Sequence, residues 1–308
     1  MSALHIVTGA GPVGWTVAEQ LAAKGHRVRV LTRSGSGPEH ELIERVKADV
    51  SQPAQLAPLL EGATAVYHCI HGSKYNAKVW RAELPGAEKV MLDAAGKAGA
   101  VVVFPESLYA YGPVSGVIDE DTPRTATVGK LGVRTELLRA REASTTPTVS
   151  VVASDFFGPR VLNAHMGERA VPNVLAGTKF RALANADVLH SFTYVPDLAR
   201  AMIVAAETQS LWNSVLHAPT APALTQREMI ATYAKAAGVE LPKIGVIPVW
   251  VLKASGLFSA DARELAEMSF QFAAPLVMDS AKSEQRLGFG PTSLATAAAE
   301  TVAWFRSR

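Results

Sequence analysis

Three glycines in the segment His5-Ile6-Val7-Thr8-Gly9-Ala10-Gly11-Pro12-Val13-Gly14 stand in the spacing G-x-G-x-x-G. In this pattern the first glycine permits a tight turn, the second lets a phosphate approach the backbone, and the third lets helix and strand pack closely. The apolar residues before it read as a strand and those after it as a helix. The free N–H groups and partial positive charge of that helix N-terminus suit a pyrophosphate. Thr8, Gly9, Gly11, Pro12, Val13 and Gly14 are therefore candidate cofactor-binding residues. The next strand ends Val30-Leu31-Thr32-Arg33-Ser34, with no carboxylate to accept from the ribose hydroxyls of NAD. The guanidinium of Arg33, with Ser34 beside it, suits a 2′-phosphate, which predicts NADP(H) in preference to NAD(H); a solvated loop arginine is the alternative. Asp49 could accept from an adenine amino group while Val50 packs on the ring, or it could cap the helix that begins after Pro53.

A second group of reactive side chains lies in Glu106-Ser107-Leu108-Tyr109-Ala110-Tyr111-Gly112 and in Asp155-Phe156-Phe157. Both segments follow apolar runs, so they fall at strand ends, where open α/β sheets bind ligands. His71, Lys74 and Glu83 lie near the same predicted cleft. The histidines show no H-x-x-x-H spacing and Cys69 is the single cysteine, so neither a metal site nor an internal disulfide is expected.

The elements that must position these groups alternate. Apolar runs of strand length at Leu4 to Thr8, Val28 to Thr32, Val46 to Val50, Ala65 to Ile70, Val101 to Phe104 and Val149 to Ala153 are separated by helical stretches at Val13 to Lys24, Pro53 to Glu61, Trp80 to Ala98 and Gly129 to Ala143. Continuous apolar runs alternating with helices predict an α/β fold, a doubly wound parallel (Rossmann) sheet. Further on, Ser191 to Val195 predicts a strand running into a helix at Asp197 to Glu207 with Asp197 as its N-cap. Val215 to Ala218 predicts another strand, and Thr225 with Glu228 a capping box opening a helix to Ala237. The chain then divides into a dinucleotide-binding part, 1–155 plus about 190–220, and a small substrate lobe at about 156–189 and 221–290. Phe156, Phe157, Phe180, Trp250, Phe258, Phe270 and Phe272 fall in or beside the lobe, most as core and one or two as a pocket wall. No obvious arginine pair offers itself there for a second pyrophosphate.

The chain has 308 residues, 48% hydrophobic and 19% charged, with a net charge of +2. That balance fits a globular protein and gives no bulk attraction to nucleic acid or to an anionic membrane. The apolar runs are far shorter than a bilayer span and the N-terminus has no signal-peptide pattern, so a cytoplasmic location is expected.

Taken together, Thr8 to Gly14, Asp49-Val50, Val66-Tyr67-His68, Tyr111-Gly112, Glu120-Asp121-Thr122-Pro123, Gly158-Pro159, Phe192-Thr193-Tyr194-Val195-Pro196-Asp197, Ser280-Ala281-Lys282 and Leu287-Gly288 resemble the NAD-dependent epimerase/dehydratase family, an extended or atypical branch of the short-chain dehydrogenases/reductases. The resemblance implies an NAD(P)-binding sheet, a small C-terminal substrate lobe and often a homodimer. It places His68 and Ile70 beside the cofactor and Asp155, with Phe156, Phe157 and Tyr111 near it, toward the substrate; a buried loop aspartate capping backbone N–H groups and a packing turn at Tyr111-Gly112 are the alternatives. In the family a serine follows the fifth strand, and a Tyr-x-x-x-Lys pair on the next helix transfers the proton. Ser107 matches the serine. Aligning the helix on Glu136 puts Val128 and Gly132 at the pair's positions, and taking Lys130 as the lysine puts Ala126 at the tyrosine, so no register restores the pair. Tyr109, Tyr111 and Lys130 are the candidate substitutes. The expected activity is NADP(H)-dependent reduction or oxidation of a small carbonyl, imine or enone compound. An epimerase or dehydratase that recycles its hydride, and a catalytically silent NADP sensor, are the alternatives.

Overall fold

A computed structural model describes residues 3–256 and 260–308, so Phe258 lies outside the described residues. The elements that carry the site are β1 (Leu4–Thr8), α1 (Pro12–Ala23), β2 (Arg27–Thr32), β3 (Ile43–Lys47), α2 (Pro53–Leu59), β4 (Ala63–His68), α3 (Ala77–Ala98), β5 (Val101–Ser107), α4 (Gly129–Glu142), β6 (Thr148–Ala153), α5 (Val195–Glu207), β7 (Ser214–His217), α6 (Gln226–Ala237), α7 (Ala260–Glu267) and α8 (Leu294–Arg306). The seven strands form one parallel sheet in the order β7-β6-β5-β4-β1-β2-β3.

Successive side chains of a strand point to opposite faces, and here both faces are covered. Val7, Val28, Val30 and Val103 pack with Val17 and Leu21 of α1 and Leu198 and Met202 of α5. Ile6, Leu31, Val66 and Val102 pack with Leu56 of α2 and Met91 and Leu92 of α3. The order of the strands reverses between β1 and β4. Their register sets Thr8 opposite Leu31 on one side and His68 on the other, so three strand ends are level at this switch point.

Three expectations change. The third strand is Ile43–Lys47, not Val46 to Val50. It is the edge strand, largely exposed, so Glu44, Arg45 and Lys47 replace the apolar run that marks an inner strand. Asp197 lies inside the first turn of α5, whose N-cap is Tyr194; its carboxylate accepts from the Thr292 N–H (2.8 Å) and hydroxyl (2.7 Å), tying α5 to the C-terminal segment. Trp250 is 71% exposed on a short helix and belongs to no core. The capping box of α6 is present as expected, with Thr225 Oγ1 accepting from Glu228 N–H and Glu228 accepting from Thr225 N–H. A second core gathers Phe157, Met166, Phe180, Tyr194 and Tyr233 with Ala298 and Val302 of α8.

Candidate active site

The three glycines differ in their surroundings. Gly9 has φ +86°, and a Cβ there would stand 2.8 Å from the Cys69 carbonyl oxygen. A Cβ on Gly14 would stand 2.1 Å from the Gly9 carbonyl oxygen. Gly11 is extended backbone with nothing within 4 Å of its would-be Cβ. Two glycines thus close the turn against β4, and the third leaves room in front of α1. No side chain caps α1, and no carboxylate stands in its first turn. An uncapped helix N-terminus facing open space fits a phosphate, so the loop passes the test for a dinucleotide pyrophosphate.

Around the loop, Thr8 is buried with its hydroxyl 3.0 Å from His68 Nδ1, and burial holds the His68 imidazole down at about 4, hence neutral. Ile70 is half-buried beside Gly9. Arg33 and Ser34 are exposed past the end of β2. Asp49 does not cap α2, whose N-cap is Gln52; it accepts from the Ser51 N–H (3.0 Å) and hydroxyl (2.7 Å), which together with Arg33 hold its carboxyl below the usual range. Val50, expected to pack on the adenine ring, is instead buried in the core under α2, where its side chain packs with Leu31 and Leu56.

At the other end of the cleft, Ser107 N–H donates to Glu106 (2.8 Å) and the Ser107 hydroxyl lies 3.3 Å from the same oxygen. Tyr109 and Tyr75 share a hydrogen bond of 2.6 Å between their hydroxyls. Tyr109 stacks on Trp80 at 6.2 Å, His71 meets Trp80 edge-on at 4.6 Å, and the Arg134 guanidinium lies 4.9 Å over the same indole. Glu83 is engaged by the Ser73 N–H and hydroxyl. Lys130 is fully buried, its ammonium 4.5 Å over the Tyr75 ring and bonded to Glu264 and, at 2.6 Å, to Glu267 of α7. Two carboxylates therefore offset the charge that would acidify a phenol. Consistently, burial first and then the carboxylate of Asp155 push the Tyr109 phenol above its ordinary value. The Tyr109 side chain therefore stays a neutral phenol.

Asp155 follows β6, and its Oδ2 lies 2.6 Å from Nε2 of the buried His190. His190 Nδ1 lies 3.0 Å from the Gln271 carbonyl oxygen. A carbonyl only accepts, so Nδ1 carries a hydrogen, and the Nε2–Oδ2 contact is a hydrogen bond only with a second proton between them. Asp155 is the partly exposed member of this pair, and His190 is fully buried. Tyr111 is buried and bonded through its hydroxyl to His217 Nε2 (2.8 Å); burial pushes this phenol up to about 12. Phe157 packs on Tyr194 in the second core, while Phe156 is half-buried. Val128 is 71% exposed just before α4, and Gly132 abuts the Thr127 backbone, so neither position offers a proton-transfer group. Tyr75, His190, Arg134, Glu264 and Glu267 join this site without having been singled out from the sequence. His190 alone had a signal, two residues before the matched segment that begins at Phe192.

The model of the NAD dependent epimerase/dehydratase family matches residues 5–213. The chain belongs to this family. Its members are enzymes of the oxidoreductase and isomerase type. Solved structures of similar fold include the Bordetella bronchiseptica enzyme WbmH in complex with NAD+ (19% identity, 99% of each chain, TM-score 0.77). They also include a UDP-N-acetylglucosamine 4-epimerase from Bacillus cereus (19% identity, 100% of this chain and 98% of that one, TM-score 0.78). A third is a UDP-glucose 4-epimerase with UDP-glucose from Thermotoga maritima (18% identity, 99% of each chain, TM-score 0.76). No curated relative matches the sequence. Among the described residues no helix is long and apolar enough to cross a membrane.

Proposed function

We propose that this protein is an NADP(H)-dependent oxidoreductase acting on a carbonyl, imine or activated double bond of a small organic molecule. The observation that carries the reading is the Asp155–His190 contact of 2.6 Å, whose carboxylate acts electrostatically on the hydrogen-bonded Tyr75 and Tyr109 phenols, in a chain that lacks the family's tyrosine–lysine pair. Thr8, Gly9, Gly11, Pro12, Val13 and Gly14 would hold the pyrophosphate, Asp49 the adenine, and Arg33 and Ser34 the 2′-phosphate, with His68 and Ile70 lining the floor. The nicotinamide supplies or takes the hydride when bound. Tyr109 donates or takes the proton at the substrate heteroatom, Ser107 orients that atom, and Asp155 replenishes the proton from His190. The Lys130 ammonium fixes Tyr75, which positions Tyr109. The part spanning 1–155 and about 190–220 would carry the cofactor and the lobe at about 156–189 and 221–290 the substrate. With one cysteine and the family's usual assembly, the protein is read as a cytoplasmic homodimer.

With a substrate found from a panel of ketones, aldehydes, imines and enones, Tyr109→Phe and Asp155→Asn should each lower kcat by about 10²–10⁴-fold, the range for a lost general acid. Stopped-flow loss of NADPH absorbance measures this, and unchanged rates would remove both residues from the mechanism. The cofactor preference rests on Arg33, which no hydrogen bond or ion pair holds among the described residues. Arg33→Ala should weaken NADPH by about tenfold or more, the worth of a charge-assisted bond, and leave NADH unaltered. Equal wild-type affinities for the two would overturn the preference.

A second reading, an NAD-dependent epimerase or dehydratase that recycles its hydride, is favoured by the solved neighbours that are epimerases and bind NAD or UDP-sugars. It differs in outcome, since substrate would be converted with tightly held cofactor and no net change in NADPH.

A further inference from the structure

Arg134 brings unused hydrogen-bond donors to the cleft. It stands one helical turn beyond Lys130 on α4, is 7% exposed, and keeps a small part of its side chain accessible. Nε lies 3.5 Å from Glu106 Oε1, yet it makes no hydrogen bond and is closed off. Among the described residues no hydrogen bond engages Nη1 or Nη2 either, and these two nitrogens are not enclosed. The donors of a nearly buried guanidinium ordinarily find acceptors, so a fork left open calls for one.

The surroundings say which kind of acceptor. The guanidinium lies 4.9 Å over the Trp80 ring, on which Tyr109 stacks and against which the exposed His71 stands edge-on. The Glu106 oxygen beside Nε is the one that takes the Ser107 N–H and lies 3.3 Å from the Ser107 hydroxyl. Arg134 is thus at the end of the cleft that holds Ser107 and Tyr109. Burial and then the charge of Arg134 hold the His71 imidazole below its ordinary value, and the same charge draws the Tyr109 phenol down against burial and Asp155. Arg134 and Arg141 face Glu88 and Glu106, two charges of each sign. The charge of Arg134 is therefore met while its donors are not, which suits a neutral acceptor better than a full anion. A carbonyl oxygen is neutral at first and gains charge as its carbon is attacked, when a fixed donor is worth most. An imine is reduced as its iminium, whose nitrogen has no lone pair to offer and whose positive charge Arg134 repels.

We infer that Arg134 is a catalytic residue of this site, its Nη1 and Nη2 donating to the carbonyl oxygen of the substrate, which is a ketone or an aldehyde and not an imine. This role rests on the oxidoreductase reading above and narrows its substrate class. The carbonyl carbon takes the hydride carried by NADPH, the C=O π pair moves to oxygen, and that oxygen takes the Tyr109 proton, leaving an alcohol and NADP+. Water returns a proton to the phenolate. Arg134 holds the oxyanion while the proton moves. Lys130, closed in by Glu264 and Glu267, is not free to face that oxygen.

Cyclohexanone and acetophenone labelled with ¹³C at the carbonyl are the probes, bound to the intact chain together with NADP+, which cannot reduce them. Difference infrared spectra should show the C=O stretch at lower frequency on the wild type than on Arg134→Ala. With a ketone that is turned over, Arg134→Ala should lower kcat by about 10²–10³-fold, the range for a lost oxyanion donor, with NADPH affinity unchanged. Arg134→Gln, which keeps a neutral N–H donor, should lose less, and it serves as the second variant should Arg134→Ala unfold. Millimolar guanidinium chloride should restore part of the rate to Arg134→Ala where an equal concentration of sodium chloride does not, an effect that a merely structural arginine would not give. Equal stretching frequencies in wild type and variants, unaltered ketone turnover in Arg134→Ala, or reduction of cyclic imines in place of ketones would overturn this role; in the last two cases an NADPH-dependent enzyme would still stand. An Arg134-dependent frequency shift in a protein that reduces nothing with NADPH would instead sink the oxidoreductase reading and leave the carbonyl site in place.

Discussion

Gly11→Val should fold almost as the wild type does and lose NADP(H), whereas Gly14→Ala should lose the fold of the loop. The two substitutions sit three residues apart in one motif, and the difference comes from where a Cβ would go. At Gly11 the backbone is extended (φ −70°, ψ −178°) and nothing lies within 4 Å, so the side chain enters open space in front of α1. The structural cost is the poorer helix N-cap of valine, about 1 kcal/mol, a shift of a few degrees in Tm. That same open space is where phosphate oxygens must reach the first-turn N–H groups, and a branched side chain there excludes them. Affinity for NADPH should fall at least about 100-fold, roughly 3 kcal/mol. At Gly14 the added carbon would lie 2.1 Å from the Gly9 carbonyl oxygen, which is backbone and itself confined, because Gly9 has φ +86° and donates its N–H to the Leu31 carbonyl at 3.0 Å. Relief requires moving α1 off β1, at a cost of about 1–3 kcal/mol or more for overpacking. Thermal unfolding with fluorescence titration of NADPH separates the two effects. Wild-type NADPH affinity in a well-folded Gly11→Val would show that no pyrophosphate lies on this loop.

The part of the molecule around this loop was legible in the sequence because its physics is local. The β1-α1-β2 unit needs apolar residues on both strand faces and glycines at fixed offsets, and both requirements leave a mark within about thirty residues. The edge strand Ile43–Lys47 left a weaker mark, since one exposed flank removes the demand for continuous apolar residues. Most of the catalytic end was not legible. Lys130 meets Glu264 and Glu267, Asp155 meets His190, and Arg141 meets Glu88 and Glu106, all pairs made by topology and not by spacing. In a helical pattern Glu88 and Arg141 look like residues of a solvated face, because periodicity reports the direction of a side chain and not which charge awaits it there. The absence of Tyr-x-x-x-Lys was readable from the sequence, but what stands in its place was only partly so. Tyr109 and Lys130 were singled out and are joined through Tyr75, which carried no signal of its own.

The largest stability effect is expected at Arg141. Its guanidinium donates to Glu88 through Nε (2.8 Å) and Nη2 (2.6 Å), and to Glu106 (2.9 Å) and the Ser150 hydroxyl (3.1 Å) through Nη1, while lying 3.9 Å over the Phe104 ring. All of these groups are buried, and they join α3, β5, α4 and β6 beneath Ser107. Arg141→Met keeps much of the volume but leaves two carboxylates without their main partner. Breaking a buried pair in this way costs about 3–5 kcal/mol, a large share of a typical folding free energy of about 5–15 kcal/mol. The pH dependence should also change sign at Glu88. In the wild type burial favours the neutral acid, but Arg141 outweighs it and the carboxyl is held below the usual range. Its contribution is therefore fully present above the ordinary carboxylate pKa and lost as pH falls through the lowered one. In Arg141→Met burial acts unopposed by that cation, the Glu88 carboxyl is raised, and stability is lost as pH rises through the raised value. The gap between the two proteins should be widest near about pH 7 and should narrow toward about pH 5, where the stranded carboxyl can take up a proton. Urea unfolding at both pH values measures the gap. A difference that stays the same at both would mean that the charge of Glu88 is not held by Arg141, and that the frame under Ser107 rests on packing alone.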